Sequence, residues 1–200
     1  MGLIVSLCFS LIQMALAHDL KALSEGELAQ KLRQYQSILS LEATFKQTKT
    51  LRKMDVHINS EGHFKVTRPR TFLWQVTKPS PISISMDDQQ VKIVTNGEPQ
   101  VYKLSEIPSG SAAQSLKGLM ALLNLNAPEL SLHYDVFAEP SSDEQYQTTK
   151  FIPKKGDGSP FKELIMYIDK AGFVRKVEIS ERSGDSIRIE FGLPKVISKK

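Results

Sequence analysis

From Leu41 onward the apolar residues of this chain recur at every second position, and that rhythm leaves few folds open. Successive side chains of a strand point to opposite faces, so a period-two segment buries one face and wets the other. Leu41, Ala43 and Phe45 alternate with Glu42, Thr44 and Lys46, and Met54, Val56 and Ile58 continue the pattern. Asn59-Ser60-Glu61-Gly62 reads as a turn. Phe72/Trp74/Val76 follows, then Ile82/Ile84/Met86 after the Pro79-Ser80-Pro81 break. Asp87-Asp88-Gln89-Gln90 turns into Val91/Ile93, and Thr95-Asn96-Gly97 carries a strong hairpin signal before Val101-Tyr102. Later come Leu132/Tyr134/Val136, Tyr146 to Pro153, Leu164/Met166/Ile168, Val174 to Ile179 and Ile187/Ile189/Phe191. The count is about ten short strands in meander order.

Two segments break the rhythm. Ser24-Glu25-Gly26-Glu27 forms a capping-box signature, and Leu28, Leu32, Tyr35, Ile38 and Leu39 follow at helical spacing. This predicts an amphipathic helix over roughly 25–39. Residues 111–123 hold Leu116, Leu119, Met120, Leu122 and Leu123 with Lys117 as their only charge, which predicts a second helix; 124–131 is a connection. The expected fold is mainly β, one antiparallel sheet curled over helices, in a single domain covering residues 18–200. A strongly curved sheet must fill its concave face with its own side chains, with helices, or with a ligand.

The first 17 residues carry no charged side chain, are mostly apolar from Leu3 to Leu16, and end in the small-x-small pattern Ala15-Leu16-Ala17. That run is short for a membrane span, so residues 1–17 read as a secretory signal peptide. The single cysteine, Cys8, lies inside it. Leu7 precedes it where a lipidation site needs a small residue, so the mature chain holds no cysteine, no disulfide and no thiol chemistry. The net charge of +4 comes from Lys and Arg interleaved with Asp and Glu, which does not suggest nucleic acid.

Catalytic constellations are hard to assemble. The histidines at 18, 57, 63 and 133 have no metal-ligand spacing, although His57 and His63 straddle the predicted turn. Asp87-Asp88 is ordinary turn chemistry. Gly156-Asp157-Gly158 lacks the Lys-Ser/Thr of a phosphate loop, and no nucleophile elbow is present. No enzyme activity, cofactor or metal is expected.

One charge is out of place. In the stretch Phe64 to Trp74, alternation puts Arg68 on the same face as Phe64 and Val66, just before Pro69 and the only Trp of the chain. Two readings stand at this point. Arg68 is either an edge-strand arginine reaching for water, or a cation held on an apolar face for a purpose.

The ordered set of motifs resembles a known family, the periplasmic outer-membrane lipoprotein carrier LolA. The matching residues are Phe45-Lys46-Gln47, Gly62-His63-Phe64-Lys65-Val66, Arg68-Pro69, Phe72-Leu73-Trp74, Lys78-Pro79, Phe151-Ile152-Pro153-Lys154, and the run from Ile165 through Phe191. Coverage is roughly residues 22 to 192. The resemblance implies an incomplete antiparallel barrel under a helical lid that encloses an apolar cavity, in a non-catalytic periplasmic chaperone. Such a carrier takes acylated lipoproteins from an inner-membrane lipoprotein-releasing ABC transporter to an outer-membrane receptor, here as a monomer. It also implies a role for Arg68 as a latch hydrogen-bonded to the lid. The acyl-chain cavity expected on this basis is lined by Phe64, Val66, Phe72, Trp74, Ile84, Leu116, Leu119 and Met120. The alternative on the same fold is a periplasmic carrier or sensor of free lipid or glycolipid. Two departures stand out: the family's Ser-Asp-Gly turn is altered to Ser85-Met86-Asp87-Asp88, and its terminal strand finds no match after Gly192-Leu193-Pro194.

Overall fold

Among the described residues the alternation is realised as thirteen strands hydrogen-bonded into one antiparallel sheet. The structure, a computed structural model, describes residues 20–68, 71–106, 118, 120–141, 143–156 and 158–198. The expected signal peptide, Cys8 and His18 lie outside the described residues, as do Leu116 and Leu119. The strands are β1 (Lys21–Ala22), β2 (Ile38–Leu51), β3 (Val56–Thr67), β4 (Thr71–Lys78), β5 (Ile82–Met86), β6 (Gln90–Thr95) and β7 (Glu98–Lys103). They continue as β8 (Tyr134–Glu139), β9 (Tyr146–Pro153), β10 (Phe161–Asp169), β11 (Val174–Glu181), β12 (Ser186–Phe191) and β13 (Lys195–Ser198). Helices α1 (Glu25–Lys31) and α2 (Ala127–His133) and a helical stretch at 120–124 accompany them.

The sheet order is β1-β8-β9-β10-β11-β12-β2-β3-β4-β5-β6-β7, and β13 pairs with β2. Strand β2 is the seam. One side binds β12 over Phe45 to Thr50 and β13 over Ile38 to Glu42, while the other binds β3 along its whole length. Among the described residues β1 and β7 do not pair with each other, so the sheet curls without closing: an incomplete antiparallel barrel. Residues past 192, where the sequence predicts no match to the family's terminal strand, extend the sheet, with Val196 opposite Leu41.

Helices cover part of the concave side. Leu28 and Leu32 with α1, Ala121 and Leu122 from 120–124, and Leu130 of α2 form one core with Val136, Phe151, Leu164 and Met166. The capping box of α1 is present as read: Ser24 Oγ accepts the Glu27 N–H and Glu27 accepts the Ser24 N–H.

Three local expectations change. The first helix ends at Lys31 rather than near 39, and Arg33–Ser37 wind as a 3-10 turn. Its spacing of three keeps Leu32, Tyr35 and Ile38 on the buried side, and Ile38 then enters β2 opposite Ser198. The reversal between β2 and β3 lies at 52–55, with Asp55 at φ 51, not at Asn59–Gly62. What Gly62 marks is a break in register against β4: a Cβ there would lie 1.9 Å from the Gln75 carbonyl oxygen. His57 and His63 therefore share one strand, six residues and about 20 Å apart, and cannot meet on one ion. Finally, Leu132 sits exposed in α2 and β8 starts at Tyr134. Asn126 caps that helix by accepting the Glu129 N–H, with Pro128 in the first turn, where a missing N–H costs nothing. The Asn96-Gly97 hairpin forms as signalled, both residues at positive φ as a two-residue turn of this kind requires.

Candidate functional site: an apolar cavity under the helical segment

Inward-facing residues of β2 to β5 meet those of β10 to β12 around a cavity of about 470 Å³, capped by Leu122, Leu123, Asn124 and Leu125. The helices fill the concave face in front of β8 to β10, and the cavity is the remainder that no side chain fills. Phe64, Val66, Phe72, Trp74 and Ile84 all line it, as does Arg68. Met120 is half-buried and is not among the lining residues. Leu116 and Leu119 lie outside the described residues.

The sequence reading missed the opposite wall: Leu164, Met166, Val177, Ile179, Ile187, Ile189 and Phe191. Their signal was the same alternation in the last three long strands. What it lacked was the register that places Phe191 opposite Phe45, and so brings β12 against β2. That register assembles an aromatic cluster. Phe45 stacks on Trp74 with ring centroids 3.8 Å apart, while Phe64 meets Phe191 edge-on at 5.0 Å. Phe72 and Phe191 lie 6.3 and 6.5 Å from Trp74. These rings give the wall a stiff, broad apolar surface.

Few polar groups interrupt the wall, and two of them are occupied. The Tyr35 hydroxyl oxygen accepts the Val174 N–H at 2.7 Å, and burial pushes its phenol up to about 12. Arg68 follows the last residue of β3. Its N–H donates to the Leu39 carbonyl at 2.8 Å, and its Nη2 donates to the Asn124 carbonyl at 3.0 Å. Asn124 ends the helical stretch, because Leu125 turns left-handed at φ 48. The last carbonyls of a helix have no partner within it and carry the negative end of the helix dipole, so a guanidinium is well matched there. Arg68 thus ties the wall of the sheet to the segment that caps the cavity.

Among the described residues no group of three or more His, Cys, Asp or Glu side chains converges as a metal site. No described helix is long and apolar enough to cross a membrane. What the arrangement can do chemically is shelter apolar material from water.

A family model described as "Outer membrane lipoprotein carrier protein LolA" matches residues 36–199. An outer-membrane lipoprotein carrier protein of Xanthomonas oryzae pv. oryzae is 27% identical over 151 residues, 76% of this chain and 69% of that protein. A protein of the same description from Xanthomonas campestris pv. campestris is 26% identical over the same shares. Among solved structures, a LolA superfamily protein of Nitrosomonas europaea aligns over 90% of this chain and 96% of its own, at TM-score 0.45 and 11% identity. The Mycobacterium tuberculosis lipoprotein LppX aligns over 84% and 95%, also at TM-score 0.45 and 11% identity.

Proposed function

The chain belongs to the outer membrane lipoprotein carrier protein LolA family, and from that premise we propose that it is a periplasmic, non-catalytic chaperone that shields the acyl chains of lipoproteins. The observation that carries the reading is a partly open apolar cavity whose wall is hydrogen-bonded, through Arg68, to the segment that caps it. Phe64, Val66, Phe72, Trp74 and Ile84 are the acyl-contacting wall, and Arg68 is the latch. A hydrogen bond to a charged group is worth about 1.5–3 kcal/mol net, whereas each buried methylene of an acyl chain returns about 0.8 kcal/mol. A few methylenes are enough to displace the latch, so closure excludes water without barring cargo. In this reading an inner-membrane ABC transporter loads the monomeric carrier and an outer-membrane acceptor unloads it.

The test is the cargo. The exported chain, purified from the periplasm without detergent, is examined by native mass spectrometry and by lipid extraction. Intact acylated proteins bound one to one support the proposal. Free lipid as the only ligand, or a carrier that is empty and binds no acylated peptide when offered one, overturns it.

A further inference from the structure

The inward face of β2 changes character along its length. Leu41, Ala43 and Phe45 are buried, Gln47 follows on the same face and lines the cavity, and Lys49 comes next, paired with Glu181 at 3.1 Å. The gradient runs from hydrocarbon to amide to ammonium within a single strand. The latched end of the cavity lies at Leu39, whose carbonyl receives the Arg68 N–H. Gln47 is eight residues further on, about 26 Å along the strand, so it marks the far end.

Gln47 is also unspent. The Tyr35 hydroxyl and the Arg68 guanidinium of the wall are hydrogen-bonded, but the Gln47 amide takes no partner among the described residues. Its cross-strand neighbours are Ser60 on β3 and Ile189 on β12. Gln47 is half-buried rather than sealed, so water can meet its amide while the cavity is empty. A chain that displaces this water must bring a hydrogen-bonding group in exchange or leave the amide unsatisfied.

From this geometry we infer that Gln47 is the polar anchor of the cavity. It donates its amide N–H to the ester or amide carbonyl that joins an acyl chain to its head group, with the chain pointing toward Leu122 to Leu125 and the head group leaving past Lys49. The inference rests on the carrier reading and adds to it an orientation and a selectivity for acyl over alkyl chains. An alkyl chain of equal length fills the same apolar wall and leaves the amide unsatisfied.

The test uses two soluble ligands that differ in the carbonyl alone, 1-palmitoyl and 1-O-hexadecyl lysophosphatidylcholine, titrated against the mature chain by fluorescence of its only tryptophan, Trp74, in the cavity wall. The wild type is expected to favour the ester roughly three- to tenfold, the worth of one neutral hydrogen bond. Gln47→Leu should bind both ligands equally, through loss of ester affinity. Gln47→Glu, which keeps the shape but has no N–H to give, should also lose the preference, so a folding defect in one variant does not hide the result. Equal binding of both ligands by the wild type, or a preference that survives both substitutions, overturns the anchor and leaves the carrier reading standing. If the wild type binds neither ligand, the anchor is overturned, and the carrier reading is decided separately by whether an offered acylated peptide binds. Orientation has its own readout: a photoreactive group at the methyl end of the ester ligand should label residues 122–125, and labelling around Gln47 instead would overturn the assignment.

Discussion

Replacing Arg68 by Leu removes the hydrogen bond to the Asn124 carbonyl while leaving the backbone bond to Leu39 in place. A charge-assisted hydrogen bond contributes about 1.5–3 kcal/mol, and the partial exposure of Arg68 argues for the low end. Its position at a helix C-terminus adds a few tenths of a kcal/mol. A loss of about 1.5 kcal/mol shifts the balance between closed and open cavity roughly tenfold toward open. If cargo enters only the open form, apparent affinity is the intrinsic affinity scaled by the open fraction, so Arg68→Leu should bind acylated lipopeptide up to about tenfold more tightly and release it more slowly. Trp74 fluorescence and stopped-flow release measure both quantities on one sample. Arg68→Gln, which adds no apolar surface, should shift affinity in the same direction. Asn124→Ala should not shift it, because the acceptor is the main-chain oxygen. The latch is refuted by unchanged or weaker binding in Arg68→Leu with circular dichroism intact, or by an Asn124→Ala shift equal to that of Arg68.

Two further outcomes follow from the geometry. Gly62→Ala should lower stability by several kcal/mol, on the order of the larger single-site effects, because its Cβ would sit 1.9 Å from a main-chain oxygen that cannot swing aside; urea titration should show a lower midpoint at unchanged slope. Tyr35 is raised to about 12 by burial, against about 10 when unfolded, so it holds its proton longer in the native state. Its contribution is complete below pH 10 and is lost as pH rises from 10 through 12, the unfolded chain being the first to ionise. Tyr35→Phe should flatten that alkaline limb, and it should cost about 1–3 kcal/mol at lower pH by orphaning the Val174 N–H.

Legibility in the sequence followed the range of the interaction. The capping box at Ser24 and the Asn96-Gly97 turn depend on neighbours two or three residues away, and both formed as read. Strand β9 spans Tyr146–Pro153 because its side chains alternate and turn residues bound it. The β2–β3 reversal was misplaced because two polar stretches competed and only pairing with β12 and β4 decides between them. For the site, alternation delivered the wall residues of β3 to β5 but not Phe45 against Phe191, a contact set by register between distant strands. Arg68 was conspicuous as a charge on an apolar face. Its partner was not, since a carbonyl at a helix end is a main-chain group that any residue type supplies.

Strand β2 joins the sheet's two wings, and this has a consequence for the order in which the molecule can form. Strands β3 to β7 can zip outward from β2 as local hairpins, and β8 to β12 can do the same among themselves. The wings meet only when residues 186–198 reach the free edge of β2, contacts of very long sequence separation that are slow to close. Until then that edge, with Phe45 and Leu41 beside it, stays open to pairing with any other extended chain. The cavity thus forms late: a nascent chain has an adhesive strand before it has a pocket, and residues 186–198 turn the one into the other.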